Sequence, residues 1–184
     1  MCKLLRCAFL TIAFFQSEIG FADACRSQLP DSLISELSAK FPDYRSPLAT
    51  DSSSEDIEWN IREGGKGCWR VAKADFDGNN EQDYVVGLSA IKGGGALVVV
   101  ALAKKGGWQF HALDTWQEGG IRLFVAAAKP GTVTRTEALA GPVPPGEELL
   151  LTCSNWFAEF GGLESSAVDY CYTKKGWRYT WTSD

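Results

Sequence analysis

Between Ala96 and Leu102 the chain reads Ala-Leu-Val-Val-Val-Ala-Leu, seven apolar residues without interruption. A strand with one wet face alternates apolar and polar residues. An unbroken, β-branched run of this length instead reads as a strand covered on both faces. No other feature constrains the fold as much, because one layer must pack above this strand and another below. Gly93-Gly94-Gly95 separates it from a second apolar run, Tyr84 to Leu88, which is a hairpin pattern. Lys104-Lys105-Gly106-Gly107 makes the next turn and leads into an alternating stretch from Trp108 to Ala112.

The remaining segments supply the layers. Leu33, Ile34, Leu37 and Phe41 share a helical stripe; Asp31 or Ser32 can cap its start and Pro42 stops it, so a short helix is expected over Asp31 to Lys40. Asp43 to Glu58 is polar, with Pro47 and Ser52-Ser53-Ser54, and reads as an exposed loop. Val71–Ala74, Ile121–Ala127, Glu148–Cys153, Ala167–Tyr172 and Trp177–Thr182 read as further strands. Pro130 to Pro145 reads as a long connection, and Lys174-Lys175-Gly176 as the last turn. One N-terminal helix and about eight strands in sequence imply an α+β domain, a mainly antiparallel sheet with the helix over part of one face.

Compartment is written at the start of the chain. Lys3 and Arg6 precede an uncharged apolar run, Cys7 to Phe15, and Ala22-Asp23-Ala24 is a small-x-small site. These are the three regions of a secretory signal peptide, so residues 1–24 are expected to be removed and residues 25–184 to form one domain outside the cytoplasm, periplasmic or secreted. Cys25 would then be N-terminal. Ala22 and Asp23 do not supply the large aliphatic and small uncharged residues of a lipid-attachment site, so an acyl anchor is not expected. Six cysteines become Cys25, Cys68, Cys153 and Cys171, an even number that reads as disulfides in an exported chain. Four cysteines allow three connectivities. A hairpin folded at Gly161-Gly162 would set Cys153 nearly opposite Cys171, leaving Cys25 for Cys68. No apolar run reaches the ~18–20 residues of a membrane-spanning helix. The net charge of −5 argues against a nucleic-acid partner, which needs a basic face.

The chemistry lies in Asp75-Phe76-Asp77-Gly78-Asn79-Asn80-Glu81-Gln82-Asp83. Side-chain oxygens fall at the first, third, fifth and ninth positions (Asp75, Asp77, Asn79 and Asp83), and the Glu81 carbonyl can serve at the seventh. Ca²⁺ takes 6–8 such hard oxygens. Gly78 and Asn80 tolerate the left-handed backbone that sharp turns need. An EF-hand would require Glu at the twelfth position; Val86 stands there, inside a strand pattern. The stretch, with Val71–Ala74 before it and Tyr84-Val85-Val86 after it, resembles the calcium loops of FG-GAP and VCBS-type repeats in integrin-like propellers and bacterial surface proteins. That resemblance implies a structural Ca²⁺ on Asp75, Asp77, Asn79, Glu81 and Asp83. It occurs once, and a propeller needs several blades, so a loop is expected and a full propeller is not. More loosely, the whole chain looks like small exported bacterial proteins of unknown function that carry one such loop.

Other candidates are weaker. Trp177, Tyr179 and Trp181 alternate and share one strand face; such a row stacks on sugar rings or lines a core, and core is the expectation here. His111, the one histidine, has no nucleophile–acid pattern around it and reads as a surface or satisfied side chain, on the face opposite Trp108 and Phe110. Gly64-Gly65-Lys66-Gly67 lacks the spacing of a phosphate loop, and no G-x-S-x-G occurs. Glu147-Glu148 and Glu159/Glu164 are the carboxylate pairs a glycan hydrolase would need. The functional expectation is an exported, non-catalytic binding domain with a calcium loop, its partner a protein or a glycan. An inhibitor or immunity-type protein and a small glycan hydrolase are the alternatives. The mature protein is expected to begin at Cys25 without lipid. Intact mass of the secreted or periplasmic species checks this, and a mass retaining residues 1–24 or bearing acyl chains refutes it.

Overall fold

The computed structural model describes residues 23–116 and 122–183; most of the expected leader, residues 1–22, and Ile121 lie outside them. The described elements run α1 (Asp31–Lys40), β1 (Tyr44–Arg45), α2 (Ser54–Arg62), β2 (Val71–Ala74), β3 (Asp83–Ala90), β4 (Ala96–Lys104), β5 (Gly107–Trp116), β6 (Leu123–Ala128), β7 (Gly131–Thr134), β8 (Leu150–Cys153), β9 (Phe157–Gly162), β10 (Ala167–Thr173) and β11 (Gly176–Ser183). One sheet has the order β1-β3-β4-β5, with β2 also on β3; a second has β11-β10-β9-β6; β7 and β8 form a third, two-stranded sheet. The strand pairs within these sheets are antiparallel. Among the described residues the architecture is α+β without a closed barrel, and no helix is long and apolar enough to cross a membrane.

The apolar run does what its composition requires. Every residue from Ala96 to Leu102 in β4 is buried. Leu97, Val99 and Ala101 join the cluster under α1 with Leu33, Leu37 and Val86. Val98, Val100 and Leu102 point the other way, into a cluster with Phe160, Val168 and Leu123 of the second sheet. The first sheet is thus the middle of three layers, and each fully buried Val or Leu contributes about 1.5–3 kcal/mol.

Two segments read as connections need correction. The segment read as a loop from Asp43 to Glu58 contains β1 and most of α2. Ser53 caps α2, its hydroxyl oxygen accepting the Asp56 N–H at 3.1 Å. The buried residues of α2 are polar, Asp56 and Asn60, while Ile61 is 57% exposed, so hydropathy periodicity misreads the helix. Asp56 meets Arg122 at 2.9 Å; burial pushes this carboxyl up, but the Arg122 and Ser53 hydrogen bonds outweigh it and hold it below the ordinary range. The long connection from Pro130 also contains β7, an apolar-poor strand whose partner β8 lies 16 residues or more downstream in register.

Both disulfides are present: Cys25–Cys68 with Cα atoms 5.0 Å apart and Cys153–Cys171 at 5.7 Å. The hairpin beside the second is not the expected one. Gly161 and Gly162 lie within β9, and the turn follows them, with Ala167 opposite Gly161. Gly161 is required for approach: a Cβ there would sit 1.8 Å from the Ser166 carbonyl oxygen. Cys153 belongs to β8, so its disulfide ties the two-stranded sheet to β10 over a small cluster with Leu151 and Phe157. At the other end, the Asp23 carboxylate accepts the Cys25 and Ala49 N–H groups, each at 2.9 Å; a chain starting at Cys25 gives these bonds up. Replacing Cys153 and Cys171 together by Ala is expected to cost about 2–5 kcal/mol of unfolding free energy, more than any substitution at an exposed position. Urea unfolding of the two chains measures it, and an unchanged midpoint would show that the bond closes no loop the fold depends on.

Candidate functional site: the acidic loop between β2 and β3

β2 and β3 pair with Ala74 opposite Asp83, so residues 75–82 form a closed connection whose two ends are fixed by the sheet. Phe76, fully buried in the inter-sheet cluster, pins its first turn. Gly78 (φ 79°) and Asn80 (φ 65°) take the left-handed backbone anticipated for them. This winding turns backbone N–H groups inward. Asp75 accepts those of Gly78 (2.7 Å), Asn79 (3.1 Å) and Asn80 (2.8 Å). Asp77 accepts from Asn79 at 3.2 Å, and Asn79 Oδ1 from Glu81 at 2.6 Å.

Carboxylate oxygens of Asp75, Asp77 and Asp83 lie within 4.8 Å of one another. Asp83 is wholly buried and accepts the N–H groups of Phe76 (2.8 Å) and Ala103 (2.7 Å), so one carboxylate joins the loop to the end of β4. Burial pushes this carboxyl up; the two backbone donors oppose the rise, and the charges of Asp77 and Asp75 add to it. Lys104 places its ammonium on Asp77, and Asn79 Nδ2 donates to the Ala103 carbonyl at 3.1 Å. The Glu81 carboxylate is outside the cluster, and its side chain is exposed. Lys104 is the site residue that sequence reading missed, because within Lys104-Lys105-Gly106-Gly107 it registers only as turn punctuation.

A polar cleft of about 520 Å³ opens beside the loop, lined by Asp77, Thr152, Asn155, Tyr172 and Lys174 among others. Asn155 closes against the loop: its Nδ2 donates to the Phe76 carbonyl at 3.4 Å, and its Oδ1 would stand 2.9 Å from a Cβ on Gly78. Cys171 also lines the cleft, so the second disulfide braces its wall.

Trp177, Tyr179 and Trp181 pack, partly buried, on the inter-sheet cluster. Tyr179 stacks on Tyr170 with centroids 5.1 Å apart, and Trp177 tilts against Tyr172 at the same distance. His111 does face away from Trp108 and Phe110, but it is neither a surface nor a satisfied side chain. It is half-buried between Tyr172 and Trp177, its Nε2 has no hydrogen-bond partner among the described residues, and burial, with Lys104 nearby, lowers its pKa.

Arginines stand beside three of the four glutamates considered for hydrolysis. Glu147 is held by Arg135 at 2.7 Å and Glu164 by Arg122 at 2.9 Å; Glu148 faces Arg178 at 3.6 Å. Glu159 instead stands directly opposite Asp169 across the β9–β10 ladder, and Asp169 is buried with Oδ1 unbonded among the described residues. The signal for that pair was an acid inside the otherwise apolar Ala167–Tyr172 run. Burial, and then the Asp169 charge, raise the Glu159 pKa from 4.5 to about 7. A carboxyl raised in the folded state stabilises fully below its unfolded value and loses that contribution as pH rises through the folded one. Stability is therefore expected to fall between pH 4.5 and about 7, and Glu159→Gln to remove that part of the slope. Urea midpoints across this window measure the difference; parallel wild-type and variant curves would contradict the assignment.

No protein-family model, no curated protein and no solved structure matches the chain.

Proposed function

We propose that this protein is an exported, non-catalytic binding domain in which the β2–β3 loop holds a structural calcium ion and the adjoining polar cleft receives the ligand. The observation that carries the reading is the convergence of three carboxylates of one loop within 4.8 Å, one of them fully buried. Like charges at such spacing repel, and Lys104 answers for only one of them. Asp75, Asp77 and Asp83, with Asn79 Oδ1 and the Glu81 carbonyl, are hard oxygen donors of the type Ca²⁺ takes. The bound ion would supply two positive charges where the loop concentrates negative ones. Export, to the periplasm or the medium, is supported by the two disulfides and by the apolar leader. A non-catalytic role is supported by the arginines that hold Glu147 and Glu164.

Calcium is expected to bind with a dissociation constant of about 0.1–1 mM, as in other extracellular modules. At ten times that constant, it should add about 1.4 kcal/mol to unfolding. Asp77→Ala should lower the melting midpoint in calcium and abolish its calcium dependence, whereas Asp43→Ala should do neither. Lys104→Gln should tighten binding, since the ammonium competes for the Asp77 carboxylate. Thermal melts with calcium and with chelator, together with calorimetry, are the measurements. A wild-type midpoint indifferent to chelator and no heat with millimolar calcium would leave the loop an acidic turn.

A further inference from the structure

Among the described residues the long strand edges are covered, with one exception. On β11, the carbonyls of Trp181 and Tyr179 accept the N–H groups of Thr136 and Glu148, and the Tyr179 N–H donates to Gly146. On the outer side of β6, the Val125 N–H donates to the Trp69 carbonyl. β1 and β2 are short. The ten-residue β5 is the last strand of its sheet, and nothing among the described residues pairs with its outer side.

Which groups point outward follows from β4. Ala103 turns its N–H and carbonyl away from β5, to Asp83 and Asn79. Ala103 and Trp108, which are partners, therefore form a non-hydrogen-bonded pair. Antiparallel ladders alternate, so Trp108, Phe110 and Ala112 all present N–H and carbonyl groups to the outside. The Glu36 carboxylate already takes the Trp108 N–H, at 3.4 Å, where a neighbouring strand would place a carbonyl. A groove of about 560 Å³ runs along this edge between α1 and β5, with Trp108 and Phe110 in its wall and Glu36 and Lys40 on its rim. The strand carries no proline and no lysine within its length, and its one edge-guarding device is a bulge at Leu113, beyond Ala112.

We propose that β5 pairs antiparallel with β5 of a second copy of this chain, about a two-fold axis at Phe110, joining two sheets into one. In that register Phe110 exchanges both backbone hydrogen bonds with its copy, and Trp108 does so with Ala112 of the other chain, whose carbonyl takes the Trp108 N–H in place of the Glu36 carboxylate. The ends agree in charge. Lys105 follows β4 in the turn that opens β5, and Asp114 lies near its far end; antiparallel self-pairing brings Lys105 of each copy next to Asp114 of the other, in an isologous contact. Both side chains are exposed in the single chain. The calcium loop takes no part, so this proposal stands or falls separately from the functional one.

The test is the molar mass of the disulfide-intact mature chain by light scattering across a dilution series. The wild type is expected at twice the chain mass. Asp114→Lys should give monomer, and Lys105→Asp combined with Asp114→Lys should restore the dimer, which a merely structural role for either residue would not do. Ala112→Pro removes one outward N–H without touching the β4 ladder and should also give a folded monomer by circular dichroism. If it fails to fold, the charge variants, at exposed positions, still decide. A wild type that is monomeric throughout overturns the proposal, as does a dimer that survives Asp114→Lys or a double variant that stays monomeric.

Discussion

The structure depends on β4 being wetted on neither side. Its odd-numbered residues belong to the layer under α1 and its even-numbered residues to the layer shared with the second sheet. Its two ladders, to β3 and β5, satisfy its backbone. Burial of this kind is non-directional, so it fixes that two layers must cover the strand without fixing what they are. The covering elements are held in place by other means. Cys25 and Cys68 both sit in the helix-side cluster, and the bond between them anchors the chain ahead of α1 to the segment before β2. Cys153–Cys171 anchors β8 to β10 on the far side.

The acidic loop gains its order from the same strand. Asp83 opens β3 and Ala103 lies near the end of β4, and the bond between them transmits the register of the sheet into the loop. Phe76 does the same through packing. Asp75 and Asp77 are then placed by local winding about Gly78 and Asn80. A buried carboxylate with two backbone donors is well satisfied as an acceptor, yet its charge remains inside a cluster of like sign. That tension gives a cation something to relieve, and it explains why Lys104 reaches across from the end of β4.

Charge elsewhere is arranged by arginine. Arg122 bridges α2 and the β9–β10 turn through Asp56 and Glu164, and Arg135 closes on the buried Glu147. Glu159 and Asp169 have no such partner among the described residues. A like-charged cross-strand pair of this kind is destabilising when both members ionise, and the raised pKa of Glu159 is the protein's way of avoiding that state.

Local rules made part of this legible in the sequence. The two-faced strand, the α1 helix with its stop at Pro42, the glycine hairpins and the spacing of Asp75, Asp77, Asn79 and Asp83 each follow from a few neighbouring residues. The disulfide partners also followed, although by a hairpin placed at the wrong glycines: Gly161 allows the Ser166 carbonyl to come close and makes no turn. What tertiary structure decided was everything whose partner lies far along the chain. α2 buries Asp56 and Asn60 because Arg122 and the segment around Cys68 wait on the other side; no window of nine residues contains that information. Trp177 and Tyr179 pack against the core because Tyr170 and Tyr172 of β10 and His111 of β5 lie beside them. Lys104 became part of the site, and Asp169 the partner of Glu159, only when strands distant in sequence were laid side by side. Periodicity reports which face of an element seeks cover, but the cover itself is chosen by contacts between segments that the sequence keeps apart.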